Sequence, residues 1–183
     1  MEIKKIINFC KKSGYLHLFE GEGEQWITDG AAFFPLFNLP QFDEESILKA
    51  YDITEKKAAK MHIQHDLYLP SAFNFENETA EEMPCEIGDE LFGKALALTT
   101  SHGMMFINSK YLTPFADTDD DMLYIFERMR DDGQIYFAVK IGFSLVALVM
   151  PFDCVNENFV NRLKKYYEHC KITLDNKKSN SEG

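Results

Sequence analysis

Asp29 lies in the stretch EQWITDGAAFFPLF (residues 24–37), between the apolar runs Trp26-Ile27 and Ala31–Phe37. A carboxylate placed there is either a catalytic acid or the first residue of a tight turn. Asp-Gly between two apolar runs is hairpin chemistry, because glycine takes positive φ without steric cost, and the turn is the preferred reading. Asp117, Asp119 and Asp121 in DTDDDM alternate like the first ligands of an EF-hand loop. The sixth position of that loop is Met122, where glycine is required, and the twelfth is Arg128, where a bidentate glutamate belongs. The run is therefore read as a solvated acidic turn. His62 and His65, with Asp66, form a candidate metal set that would share one face of a helix. The surrounding Ile63, Leu67 and Tyr68 point instead to a strand, on which the two histidines leave opposite faces. No cysteine near them in sequence completes a zinc set. Ser101-His102 offers a nucleophile beside a base, but the chemistry needs a hydrogen-bonded base oriented by a third group, a geometry that neighbours in a hairpin turn rarely reach. His169 and Cys170 are adjacent on a helix and point about 100° apart. There is no nucleophile elbow, P-loop or dinucleotide fingerprint. These residues predict no catalytic group, no metal and no cofactor, and they rank a binding protein above an enzyme.

The chain has 183 residues and a net charge of −11, distributed unevenly. Residues 1–14 carry +3, residues 15–155 carry −16, and residues 156–183 carry +2. An acidic body repels DNA unless a basic face is held apart from it, because phosphate contacts supply most nonspecific affinity. Charged residues interrupt the first apolar positions (Met1-Glu2-Ile3-Lys4-Lys5), so no export signal is read. The longest apolar run, residues 141–152, is too short to span a bilayer. Cys10, Cys85, Cys154 and Cys170 form no CxxC pair and are expected as reduced thiols in a cytoplasmic protein.

Several elements must position these groups. Ile3, Ile6, Ile7 and Cys10 recur at helical spacing over residues 2–12, with Lys4, Lys5, Lys11 and Lys12 on the other side and Ser13-Gly14 as the stop. Strands are expected at 15–20, 25–28 and 31–37, then a short helix over 43–53 capped by Asp43. Residues 54–70 read as helical at first and extended from about Met61. Residues 71–90 hold seven acids and no base and are read as a long acidic loop or flap, with Phe73 and Phe75 available to pin it. Beyond it, a hairpin turns at Ser101-His102-Gly103, a short helix containing Pro114 spans 109–116, and strands flank Asp131-Asp132-Gly133. A closing apolar strand ends at Pro151. Asn156 then caps a helix whose buried stripe would be Phe159, Val160, Leu163, Tyr166 and Tyr167, with Arg162, Lys165 and His169 on another face. The tail from Asp175 reads as disordered. The order of helix followed by strands recurs after Asn108.

With these motifs in place, QWITDGAAFF is similar to the strand–turn–strand of bacterial DNA sliding clamps. FINSKYLTPFADTDDDMLYIFE followed by LVALVMPF resembles their short helix, paired strands and closing Met-Pro strand. The likeness covers about half of the chain. It implies an α+β fold of antiparallel sheets with a few helices packed on one face, made of one helix-and-strands unit used twice. On that basis residues 1–174 form a single clamp-like domain with an insertion at about 40–90 and a disordered tail at 175–183. The chain has room for one such domain where a bacterial clamp has several, and the clamp's partner pocket has no residue-by-residue match. The chain also resembles, in style, small phage and mobile-element proteins. The resemblance implies a noncatalytic module that binds DNA or a replication protein, with homo-oligomerisation among its expected associations and no membrane. Lys4, Lys5, Lys11, Lys12, Arg162 and Lys165 are its candidate contacts. The alternatives are an acidic mimic of nucleic acid that occupies a basic site on another protein, and a metal-dependent enzyme using His62 and His65.

Overall fold

Helix α1 (Ile3–Ser13) buries Ile6, Ile7, Phe9 and Cys10 and ends at Gly14, whose φ of 73° is the left-handed cap that glycine adopts without strain. The structure, a computed structural model, describes residues 1–21, 23–91, 94–119 and 122–181, with the backbone alone for 179–181. Glu22 in the GEGE turn and Asp120 and Asp121 in DTDDDM lie outside the described residues. Strands β1 (Tyr15–Glu20), β2 (Gln25–Thr28) and β3 (Ala32–Pro35) follow as an antiparallel meander. Helices α2 (Glu44–Ala50) and α3 (Glu55–Ala58) precede β4 (His62–Asp66), which runs parallel to β1. Asp43 caps α2 as expected: its carboxylate accepts the Ser46 N–H at 2.7 Å, and the Ser46 hydroxyl accepts the Asp43 N–H at 2.8 Å.

The segment read as one long acidic loop contains two strands, β5 (Met83–Pro84) and β6 (Glu86–Leu91). Periodicity could not show them, because β6 is exposed along almost its whole length and carries no buried alternation. Strands β7 (Ala95–Thr100) and β8 (Gly103–Asn108) form the expected hairpin and join β6 in a three-stranded sheet. Residues 109–115 are a 3-10 helix with Pro114 inside it. Then come β9 (Leu123–Met129), β10 (Ile135–Ile141) and β11 (Ser144–Val149), with the predicted turn at Asp131–Gly133.

The large sheet has the order β4-β1-β2-β3-β11-β10-β9-β5. Each half is a helix followed by a three-strand meander, and the two meanders join where Ala32 and Phe33 of β3 pair with Val149 and Leu148 of β11. The two helices stand together: Glu2 N–H donates to the Pro114 carbonyl at 2.9 Å, and the Phe9 and Tyr111 rings meet edge-on at 5.5 Å. The α+β class with an antiparallel-rich sheet is as expected from the pattern. Residues 40–90 are woven into that architecture, because they supply α2, α3 and both edge strands of the large sheet.

Both faces of the sheet are covered. One side packs Leu16, Leu18, Ile27, Phe34, Phe137 and Val139 against α1, the 3-10 helix and Leu96, Leu98 and Ile107 of the smaller sheet. The other gathers Phe19, Trp26, Phe33, Tyr136 and Leu148 beneath Leu69, Phe73 and Phe75, so the two phenylalanines do pin the acidic segment. Such double coverage explains why β2 and β3 are buried at every position.

Residues Met1–Phe152 form one compact unit and Asp153–Gly183 a second, where a single body to residue 174 was expected. The second unit contains α4 (Glu157–Ser181), so residues 175–181, read as disordered from composition, are helical. Asn156 is its cap, with its side chain accepting the Phe159 N–H at 3.0 Å. Of the predicted buried stripe, Phe159 is buried, whereas Val160, Tyr166 and Tyr167 are exposed.

The pinned segment is closed by a buried ion cluster. Arg128 donates to Glu82 through Nε (3.0 Å) and Nη2 (2.6 Å), Lys140 pairs with the other Glu82 oxygen, and Arg128 also reaches the Asn74 carbonyl at 3.0 Å. Burial pushes the Glu82 carboxyl up, but the hydrogen bonds from Lys140 and Arg128 outweigh it and hold the group below its usual range. Removing one member strands the remaining charges in the interior. Glu82→Ala is expected to cost about 3–5 kcal/mol in urea unfolding, whereas replacing Glu82, Arg128 and Lys140 together by Met is expected to be near neutral.

Candidate functional site

The outward side of α1 presents Lys4, Asn8 and Lys12, four residues apart and exposed. The other two lysines of this helix are committed to the fold. Lys5 pairs with Glu2 and donates to the Thr113 carbonyl at 3.0 Å, while Lys11 donates to the Tyr51 carbonyl at 2.9 Å. Helix α3 adds exposed Lys56 and Lys57, with Lys60 just beyond it. The chain returns to α1 there: His62 N–H donates to the Gly14 carbonyl at 2.7 Å. Lys12 on α1 and Lys60 beyond α3 therefore each stand two residues from this contact. Lys110, the lysine of the 3-10 helix, turns inward and lies 3.6 Å from Asp29 and 4.3 Å from the Tyr111 ring centroid. Arg162 and Lys165 are exposed on α4, in the second unit. Lys4 and Lys12 thus stay exposed, as do the α3 lysines, which sequence reading passed over because their segment was ambiguous.

Asp29 does turn the chain, and it does more. It is buried, and Oδ1 accepts the N–H groups of Ala31 (3.0 Å) and Ala32 (3.1 Å). Oδ2 accepts the Tyr111 hydroxyl at 2.9 Å. Burial, reinforced by the Asp29 charge, pushes the Tyr111 phenol far above its ordinary range, so it remains a donor. The same two causes raise the thiol of Cys10.

Ser101, His102 and Glu127 meet across the two sheets, contrary to what adjacency in a turn predicts. Glu127 accepts the Ser101 N–H (3.0 Å) and hydroxyl (2.7 Å), and its Oε1 lies 2.7 Å from His102 Nδ1. Ser101 Oγ lies 2.9 Å from that same Nδ1. A nucleophile relay needs serine on one ring nitrogen and the carboxylate on the other. Here both crowd one nitrogen, and the serine proton is given to the carboxylate. Burial raises the Glu127 carboxyl, yet the bonds from Ser101 and His102 prevail and hold it low, which suits an anchor better than a base.

The β1–β4 edge carries His17, His62 and His65. His62 and His65 leave opposite faces as expected: the His62 ring stacks on Tyr15 at 5.3 Å, while His65 Nε2 meets Glu20 at 2.6 Å. On the Tyr15 side, the Tyr15 hydroxyl lies 3.1 Å from His17 Nδ1 and His17 Nε2 lies 2.9 Å from Asp66. Among the described residues, no three His, Cys, Asp or Glu side chains are grouped to hold a metal. A cleft of about 910 Å³ opens nearby, lined in part by Glu20, Glu24, Trp26, Tyr68 and Arg130. Its Glu20 is engaged by His65 and by Gln25 (2.9 Å).

Burial lowers the pKa of His17 despite the opposing pull of Asp66. With the folded value below the unfolded one of about 6.5, the unfolded chain takes the proton first as pH falls. The stability from a neutral His17 is thus complete above about pH 6.5 and is lost below it, at up to about 1.4 kcal/mol per pH unit. Denaturation of wild type and His17→Gln between pH 8 and 5.5 should show a smaller decline in the variant. Comparisons with protein-family models, curated protein sequences and solved structures find no match to this chain.

Proposed function

We propose that this chain is a noncatalytic binding module, clamp-like in organisation, whose α1–α3 face holds the phosphate backbone of DNA. The observation that carries this reading is the exposed set Lys4, Lys12, Lys56, Lys57 and Lys60 on the helix layer of an otherwise acidic chain. Support for the clamp-like part comes from the two helix-plus-meander halves, joined at β3 and β11 with both helices on one face. Support for a noncatalytic role comes from Asp29, Ser101 and Glu127, whose polar atoms are taken up in tying elements together. Ammonium groups on a rigid helix layer neutralise phosphates and release counterions, so affinity is electrostatic and independent of sequence.

Fluorescence anisotropy with a labelled duplex at rising salt tests this reading. Log affinity should fall against log salt with a slope of about −0.9 per neutralised phosphate. Lys12→Glu with Lys56→Glu and Lys57→Glu should abolish binding, and Lys4→Ala should lessen the slope by about 1. Absence of binding at low salt removes DNA as the partner. The alternative, an acidic mimic, draws on Glu86, Asp89 and Glu90, which are exposed along β6. Glu86→Gln with Asp89→Asn and Glu90→Gln would abolish capture of a basic nucleic-acid enzyme under that alternative and leave DNA binding by α1 intact.

A further inference from the structure

The cleft of about 910 Å³ lies on the face of the large sheet away from α1, against Trp26, Phe73, Phe75 and Tyr136. Its volume is within the range of ligand pockets. Glu20, Glu24, Glu76, Glu81 and Asp131 line it, with Arg130 as the one cationic side chain among the described lining residues. Arg130 is already committed, with Nη2 2.9 Å from Asp132 and Nη1 donating to Gln134 at 3.0 Å. Glu20 is held by Gln25 and His65, but the carboxylates of Glu24, Glu76, Glu81 and Asp131 bond to no other described residue. Glu24 is half-buried, and burial pushes its carboxyl up, a penalty on the anion that no neighbouring cation offsets. A Cβ at Gly21 would lie 2.7 Å from the Glu24 carbonyl oxygen and 3.3 Å from the Trp26 ring, so glycine lets this turn close on the cleft.

The chemistry of these walls selects the occupant. Unpaired carboxylates favour a cation. Among cations, guanidinium is planar and weakly hydrated, stacks on aromatic rings and pairs with a carboxylate through two parallel N–H groups. The cleft wall already accommodates such a stack, because the Arg130 guanidinium lies 5.0 Å from the Phe73 ring centroid. At the rim Leu67 and Tyr68 are 68% and 81% exposed, apolar surface that a free guanidinium compound leaves wet. Residues beside an arginine in a polypeptide would cover it, as flanking contacts cover the surroundings of a buried anchor. We infer that the cleft receives an arginine side chain of a partner polypeptide, with Glu24 as its main carboxylate and Leu67 and Tyr68 packed on the residues next to it. None of the α1 and α3 lysines lines the cleft, so this proposal and DNA binding can fail separately.

Calorimetric titration of the full chain with the tripeptide acetyl-Leu-Arg-Leu-amide is the test. Two further probes accompany it: the same peptide with citrulline, whose neutral urea replaces the guanidinium, and agmatine, which carries the guanidinium without a peptide. The arginine peptide should bind, and the citrulline peptide should bind at least about tenfold more weakly, because the charge-assisted pair is lost. Agmatine should also bind more weakly, and Leu67→Ser/Tyr68→Ser should narrow the gap between it and the arginine peptide. Glu24→Gln/Glu81→Gln should weaken the arginine peptide at least about tenfold. Asp117→Asn/Asp119→Asn removes the same charge from exposed positions outside the cleft, where salt screens it, and should change affinity by less than about twofold. The urea unfolding transition of each variant checks that it folds. No binding of the arginine peptide at millimolar concentration, equal binding of the citrulline peptide, or equal losses in the two charge variants overturns the proposal. Agmatine binding as tightly as the peptide overturns the polypeptide as the source and assigns the cleft to a free guanidinium compound.

Discussion

The first unit depends on one buried carboxylate. Asp29 fixes Ala31 and Ala32 through their N–H groups, and Ala32 is where β3 meets β11, the seam between the two halves of the large sheet. Its other oxygen holds Tyr111 and faces Lys110, so the same side chain anchors the second helix to the turn of the first half. A buried carboxylate survives only when its acceptor sites are filled, and here backbone, hydroxyl and ammonium groups all converge on it. One charge thereby coordinates a turn, a strand junction and a helix.

The cost of that centralisation is visible elsewhere. Once the helices and the smaller sheet cover one face, the other would expose Phe19, Trp26 and Phe33 to water. The segment 67–82 covers it with Leu69, Phe73 and Phe75 and is held by Glu82 against Arg128 and Lys140. Acidic composition suggested a long loop or flap; one of those acids instead closes a buried cluster. Glu127 repeats the pattern by gripping the β7–β8 turn, so the smaller sheet is tied to the larger through a carboxylate as well as through apolar contact. In this chain several of the groups that look reactive on paper serve as fasteners.

The same division runs through the lysines. The partly buried lysines of the helix layer, Lys5, Lys11 and Lys110, spend their contacts on carbonyls and a carboxylate, which stiffens that layer. Lys4 and Lys12 are exposed on that layer, and the Gly14–His62 hydrogen bond brings the chain after α3 back to the end of α1.

What could be read from the residues alone was local. Helix α1 and its glycine cap, the capping box at Asp43, the hairpins at Ser101–Gly103 and Asp131–Gly133, and the opposed faces of His62 and His65 all follow from periodicity and turn chemistry, which act within a few residues. The exposed strand β6 and the helical continuation past Asp175 were not legible, because neither carries an apolar alternation. Only the tertiary structure decided which lysines remain in solvent, since Thr113 and Tyr51, the partners of Lys5 and Lys11, are 108 and 40 residues away. The meeting of Ser101 with Glu127 and of Asp29 with Tyr111 was likewise decided by packing. A side chain's type fixes what it can bond, but the group it finds across 82 residues of chain depends on how the two halves close.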